Sequence, residues 1–290
     1  MFKEYDAKEL ELLKKAEVSI LKDFSEVCNK HGITWFAIGG SVIGAARHQG
    51  FIPWDDDLDL GMLRKDFDRF LEIWESELGD KYHLASPDTD KEYSSAVVKL
   101  MRKGTKFVPE FLDKSNAQLG IHIDLFAYDN YTNDEKSVKQ IKQARFWDQL
   151  LFLKGSGRPS IPFKGVKKAI ASIICQFIHG VLVLFRVSSK WMFKKFNEVA
   201  QRYDDIDTEY VTIYQDAWIH ESRMAKSEIF PLKYLKFEDV EIPVQNDYMT
   251  ILERYYGSDV MQLPPVEKRV NHAPSIIEFG PFKDELMDVE

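Results

Sequence analysis

The sequence predicts an α+β fold, a mixed sheet core flanked by helices and followed by a largely helical C-terminal part. Three observations carry that prediction. An apolar run over 33–38 leads through Gly39-Gly40-Ser41 into a short helical stretch and then a second alternating run over 57–62. A helical pattern with Phe67, Phe70, Leu71 and Trp74 on one face follows, so the opening reads strand, helix, strand, helix. Over 121–126, Ile121, Ile123 and Leu125 alternate with His122, Asp124 and Phe126, the period of a strand with one buried face.

Each element has its own warrant. Leu10, Leu13, Ala16, Ile20, Phe24 and Val27 recur at three- or four-residue steps, predicting helix over 8–30 that stops near Gly32. Strands are expected over 82–85 and 95–102, a turn-rich stretch over 128–134, and a helix over 135–154. Gly155-Ser156-Gly157-Arg158-Pro159 marks a break, which divides the chain into 1–154 and a mainly helical 155–290 that completes the cleft. In the second part we expect helix over 194–203, strands over 210–214 and 237–243, and a helix over 247–256 capped by Gly257.

Composition bounds the class. With 290 residues, 44% hydrophobic and 30% charged, the chain reads as globular. Cys28 and Cys175, far apart in helical runs, are expected to be reduced, buried thiols. The N-terminus is charged and amphipathic, without the apolar core of a secretory signal, which predicts a cytoplasmic protein. The net charge of −8 conceals a segment of +9 between Asp148 and Glu198, made of Lys154, Arg158, Lys164, Lys167, Lys168, Arg186, Lys190, Lys194 and Lys195. Such a split predicts one anionic surface for that segment and not general nucleic-acid binding. Within it, 169–185 is apolar but interrupted by Gln176, His179 and Gly180, short of the roughly 20 residues of a span. A buried core helix is the first expectation there. A peripheral contact with the inner face of the membrane is the alternative, ahead of a true span.

The chemistry concentrates between Ile38 and Met62. A Gly-Gly-Ser turn lets the backbone approach a bound group, and the helix after it offers free N–H groups to a phosphate. Asp57 and Asp59, two apart on an expected strand, point to one face with Cα atoms about 6.5 Å apart, where two carboxylates can share divalent cations. Asp55 and Asp56 read as loop residues, although Asp55 joins that face if the strand begins early.

The run GGSVIGAARHQGFIPWDDDLDLGM resembles the core motif of the LicD family, bacterial phosphocholine and related phosphotransferases of the nucleotidyltransferase superfamily, similar to fukutin-type proteins. Weaker similarity continues through 237–265. One departure is the interval of fifteen residues between Ser41 and Asp57, longer than is usual for the superfamily. The resemblance implies a nucleotidyltransferase-like core and transfer of a phosphorylated alcohol, such as phosphocholine, from a CDP-linked donor to a cell-surface glycan precursor that can be carried on a lipid. It implies Mg²⁺ or Mn²⁺ on Asp57, Asp59 and Asp124, Asp124 arriving from a neighbouring strand and accepting the acceptor's proton. Gly39, Gly40 and Ser41 then seat the donor phosphate, with Arg47, Lys99, Arg269 and His272 as further phosphate contacts. The blander alternatives are a solvated edge lysine for Lys99 and a structural role for His122. Trp35, Trp54, Tyr93 and Trp218 are the aromatic candidates for a choline cage. Nucleotidyl transfer proper and a silent glycan-assembly scaffold are the rival functions.

Overall fold

Asp6 opens the first helix: its carboxylate accepts the Lys8 and Glu9 N–H groups, and Gly32, in the left-handed region at φ 60°, closes α1 (Ala7–His31). The computed structural model describes residues 5–113, 115–156, 164–216, 218–269 and 271–287. After α1 come β1 (Phe36–Ala37), α2 (Gly39–His48), β2 (Asp59–Leu63), α3 (Arg64–Leu78), β3 (Tyr82–Ala85), β4 (Val98–Arg102), β5 (Lys106–Val108) and β6 (His122–Tyr131). The chain continues through α4 (Glu135–Gly155), α5 (Gly165–Leu184), α6 (Ser189–Ala200), β7 (Tyr210–Thr212), α7 (Ile219–Ser222), β8 (Met224–Ala225) and α8 (Lys226–Ile229). It ends with β9 (Lys233–Phe237), β10 (Val240–Val244), α9 (Tyr248–Tyr256), β11 (Ile276–Glu278) and α10 (Phe282–Met287).

The main sheet is mixed, as expected, in the order β1-β2-β6-β4-β3. Strand β2 runs parallel to β6, and the pairs β1/β2, β6/β4 and β4/β3 are antiparallel. β7 pairs with the far half of β6 and β8 with β7, so residues from beyond 155 extend the same sheet. β6 therefore runs to Tyr131, past the predicted turn at 128. Its buried Asp129 is held by Arg64 through two hydrogen bonds of 2.6 and 2.9 Å, which gives the inner carboxylate a partner.

The alternation on β6 sorts the two faces. Ile123, Leu125 and Ala127 are buried against the core that contains Leu13, Ile20 and Phe24 of α1, together with Leu60 and Met62 of β2. On the other face Phe36, Tyr128, Val211 and Ile229 form a smaller apolar cluster. Gly61 lies beneath it, where a Cβ would come within 2.8 Å of Phe36 and 2.7 Å of Tyr128, so only glycine admits both rings.

Further expectations need correction, among them the strand over 237–243, which is a hairpin of β9 and β10. β1 is limited to Phe36 and Ala37, because its partner β2 starts only at Asp59. The apolar helix is not in the core: in α5, Leu182 alone among the described residues is buried. Cys28 is buried and Cys175, on α5, only half-buried; both are free thiols. The predicted break at 155–159 falls largely on residues outside the described ones.

Candidate active site

The acidic run is held as an irregular loop by distant parts of the chain. Glu238, at the turn between β9 and β10, accepts the Phe51 N–H at 3.0 Å and donates its own N–H to the Gln49 carbonyl at 2.8 Å. The Lys14 ammonium donates to the carbonyls of Ile52 and Pro53, both at 3.0 Å. Buried Asp56 accepts the Tyr5 hydroxyl at 2.9 Å and the His272 N–H at 3.0 Å. Asp57 is thus a loop residue, and the expected two-residue spacing on one strand does not govern where its carboxylate points.

Sheet register brings the other groups together. Asp59 on β2 stands opposite Asp124 on β6, and Asp124 stands opposite Lys99 on β4, a polar row across three neighbouring strands. The Lys99 ammonium donates to both Asp124 oxygens, at 2.5 and 2.7 Å, and lies 2.8 Å from His122 Nε2. β4 is an interior strand, so the reading of Lys99 as an edge lysine fails. Burial and then the Lys99 charge push His122 down to about 4. Its Nδ1 is 2.8 Å from the Gly120 carbonyl, so it is a hydrogen-bonded ring of the row's far end.

The carboxylates perturb one another. Burial, then the charges of Asp124 and Asp56, push Asp57 up to about 6. Burial, then Asp57 and Asp56, push Asp55 up to about 7. Asp59, shielded from water and facing Asp57 and Asp124, lies well above the ordinary carboxylate range. Glu17 of α1 is driven the same way by burial and by Asp57, Asp56 and Asp55, and one of its oxygens has no hydrogen-bond partner. These are oxygen donors of the kind that suit a hard cation, crowded beyond what the nearby Lys14, Lys99 and His272 relieve. Among the described residues, however, no three acid, histidine or cysteine side chains stand ready to ligate one ion, and Lys99 holds both oxygens of Asp124.

The glycine turn faces this cluster. Gly39, at φ 55°, would carry a Cβ 3.2 Å from the Tyr256 hydroxyl and 3.8 Å from Asp59, and a Cβ on Gly40 would meet Asp55 at 2.9 Å. The turn therefore needs glycine because acid and phenol groups close over it. Ser41 is buried, and its hydroxyl accepts the Asp59 N–H at 2.9 Å, tying the helix start to the strand start.

The cationic candidates rim the site. Arg47 donates to the carbonyls of Val260 and Gln262, both at 2.9 Å, and burial followed by the neighbouring Arg269 charge lowers its pKa. Arg269 lies 4.8 Å above the Trp54 ring and donates to the Pro264 carbonyl. His272 has an exposed ring 3.6 Å from Asp56, whose hydrogen bond raises its pKa. Of the aromatic candidates, Trp35 and Tyr93 are buried and Trp54 is already covered by a guanidinium. The exposed Trp218 donates its backbone N–H to Asp216, the carboxylate that also takes the Tyr255 hydroxyl. The aromatic pair nearest the glycine turn is Tyr255 and Tyr256, with ring centroids 4.7 Å apart, and sequence reasoning missed it. It missed Glu17 and Tyr5 as well, although an acid between Ala16 and Ile20 on an apolar helix face was a readable signal.

A strand, glycine turn and helix facing acids on the next two strands define a nucleotidyltransferase-type domain. Residues 32–165 match the LicD/FKTN/FKRP nucleotidyltransferase domain, so that stretch is similar to the LicD-type domain. It is 28% identical over 259 residues to the lipopolysaccharide cholinephosphotransferase LicD of Haemophilus influenzae, covering 88% of this chain and 92% of that protein. Over 48 residues it is 42% identical to the human ribitol 5-phosphate transferase FKRP, 17% of this chain and 10% of that protein. A similar segment of 54 residues is 43% identical to an uncharacterized Rickettsia typhi protein, 19% of this chain and 18% of that protein.

Proposed function

We propose that the chain transfers a phosphorylated alcohol, phosphocholine or a close relative, from a CDP-linked donor to a hydroxyl of a cell-surface glycan precursor. The observation that carries this reading is the crowd of carboxylates, Asp55, Asp57, Asp59 and Asp124, closing on the Gly39-Gly40 turn. Likeness to a cholinephosphotransferase over most of both chains supports it, and the shorter likeness to a ribitol 5-phosphate transferase keeps the alcohol open.

In this reading Asp57, Asp59 and Asp124 hold Mg²⁺ or Mn²⁺. An ion held there would supply positive charge to offset the negative charge developing on the departing CMP. The chain's own groups do the rest. The Gly39-Gly40 turn and the start of α2 seat the donor phosphate, and Ser41 fixes Asp59 against them. Asp124 takes the proton of the acceptor hydroxyl, and Lys99 moves between Asp124 and substrate phosphate as each becomes the better anion. Arg47, Arg269 and His272 hold phosphate at the rim. Tyr255, which donates to Asp216, and its ring neighbour Tyr256 are the groups we assign to the donor's alcohol, where a quaternary ammonium would gain cation–π attraction.

The test is incubation with Mg²⁺, a glycan acceptor and CDP-choline, CDP-ribitol or CDP-glycerol in turn, with CMP release as readout. CMP release with one donor supports the reading. Joining of a nucleoside monophosphate to the acceptor would instead establish nucleotidyl transfer, and inertness toward every donor would leave a scaffold.

A further inference from the structure

Helix α5 is long and apolar enough to cross a membrane by length and composition. Yet it is laid along the protein. His179 Nδ1 sits 2.8 Å from the Leu153 carbonyl of α4, Leu182 is buried, and Ile178 packs against the core. The opposite side carries Ile170, Ile173, Ile174, Phe177, Val181 and Leu184, at helical spacing on one face. These side chains are bare: Ile173 is 67% exposed, Phe177 71% and Leu184 76%, and Phe185 just past the helix is 72% exposed. Apolar surface of that extent on one helix marks a contact site.

Charge decides what covers it. Lys164, Lys167 and Lys168 stand at the start of α5, and Arg186, Lys190 and Lys194 stand beyond its end. Lys190 is paired with Asp88 at 3.3 Å and Lys195 with Glu198 at 2.7 Å. Lys164, Lys167, Lys168, Arg186 and Lys194 have no ion-pair partner among the described residues. Both ends of the helix are therefore cationic, and no acid lies between Asp148 and Glu198. Two copies of α5 set face to face, parallel or antiparallel, would bring like charges together at both ends. An anionic lipid surface meets both demands, since it accepts the apolar face and attracts the flanking cations. Crossing the bilayer is disfavoured by the contacts with α4, whose exposed side bears Lys142 and Arg145.

We propose that α5 docks the protein flat on an anionic bilayer, its Ile173–Phe177 face in the acyl boundary and the basic residues at its ends among the headgroups. This surface is independent of the transfer reaction proposed above. The experiment is co-sedimentation of the full chain with phosphatidylglycerol vesicles and with phosphatidylcholine vesicles across a salt series. Binding to phosphatidylglycerol at low salt, lost as salt rises, is expected, with little binding to phosphatidylcholine. Lys164→Gln, Lys167→Gln and Lys168→Gln together should weaken that binding about a hundredfold, each cation near the surface contributing about fivefold. Ile173→Asn with Phe177→Asn should remove it while the urea midpoint stays unchanged, because both residues are exposed. The salt series on the unaltered protein tests the charge argument without any variant. Wild-type protein left in the supernatant with phosphatidylglycerol at low salt would overturn the proposal. So would a triple lysine variant that binds as tightly as wild type. A dimer that Phe177→Asn turns into a monomer, with no vesicle binding, would assign the face to a second copy.

Discussion

Helices α1 and α5 make an instructive pair. α1 carries a charge on nearly every turn and buries Leu13, Ala16, Glu17, Val18, Ile20, Leu21, Phe24, Val27 and Cys28, whereas the more apolar α5 buries Leu182 alone. What separates them is the partner available. α1 has a sheet beneath it, with Ile123, Leu125 and Ala127 of β6 in the same core, and α5 has one side of α4. Burial thus follows the surfaces the topology offers and not the apolar content of a helix alone. α1 also reaches the chemistry, through Glu17 under the acidic loop and Lys14 on its backbone, while α5 bonds to α4 through His179.

The sharpest way to break this comparison is to cut the same ring from each helix. Phe24→Ala should cost about 3–5 kcal/mol in urea unfolding, because Phe24 is fully buried beside Trp35 and Phe70. Phe177→Ala, on the open side of α5, should move the midpoint by less than about 0.5 kcal/mol. Equal losses would mean that α5 is a core helix after all.

Next in size is the acid cluster that α1 backs. Asp57→Asn or Asp59→Asn should lower CMP release by about a hundred- to a thousandfold, the scale of losing one fixed electrostatic contact to a transition state. The fold should hold, since neutralising one of several mutually repelling carboxylates relieves strain on the rest. CMP release near the wild-type rate in either variant would remove these residues from the mechanism. The corresponding change on α5, Lys167→Gln, should leave turnover with a soluble acceptor alone.

A third test sets the pH dependence of the two regions apart. Asp57 rises from its ordinary 3.8 to about 6 on folding and Asp55 from 3.8 to about 7, in both cases first through burial. A carboxyl whose folded pKa is raised binds more protons in the folded state, so the stability these two groups contribute is full below 3.8 and is lost as pH climbs to about 7. In EDTA the urea midpoint should therefore drop over that window, and Mg²⁺ should restore it. Asp57→Asn should flatten the slope, and the α5 lysine variants should not. A midpoint indifferent to Mg²⁺ at neutral pH would argue against a cation at the cluster.

How much of this was legible in the sequence differs by interaction range. Strand Tyr82–Ala85 was predicted to the residue, and the face of Phe67, Phe70, Leu71 and Trp74 lies within helix Arg64–Leu78, because local periodicity defines both. The alternation that turned Asp124 away from Ile123 and Leu125 was equally local. The start of β2 was misread by two residues, since the loop geometry at Asp57 is imposed by Tyr5, Lys14, Glu238 and His272 from far along the chain. Lys99 and Asp124 were each singled out, but their direct opposition depends on strand register that no local pattern encodes. Tyr256 was invisible for the same reason: it reaches Gly39 only after α9 packs against α2.

Ser41 offers the smallest effect and separates two jobs read from one residue. From the sequence its hydroxyl is a donor to substrate phosphate; in the structure that oxygen accepts the Asp59 N–H at 2.9 Å in a buried setting. Ser41→Ala removes the acceptor and leaves the Asp59 amide without it, which should cost about 1 kcal/mol of stability. If positioning Asp59 is the main role, kcat falls severalfold and KM for the CDP-linked donor stays constant, because the displaced acid acts after binding. If the phosphate contact dominates, KM rises and the urea midpoint stays put. Ser41→Thr keeps the oxygen, so it should recover stability wherever the added methyl group fits beside Val42. Loss of kcat with retained KM and a lowered midpoint is the expected outcome.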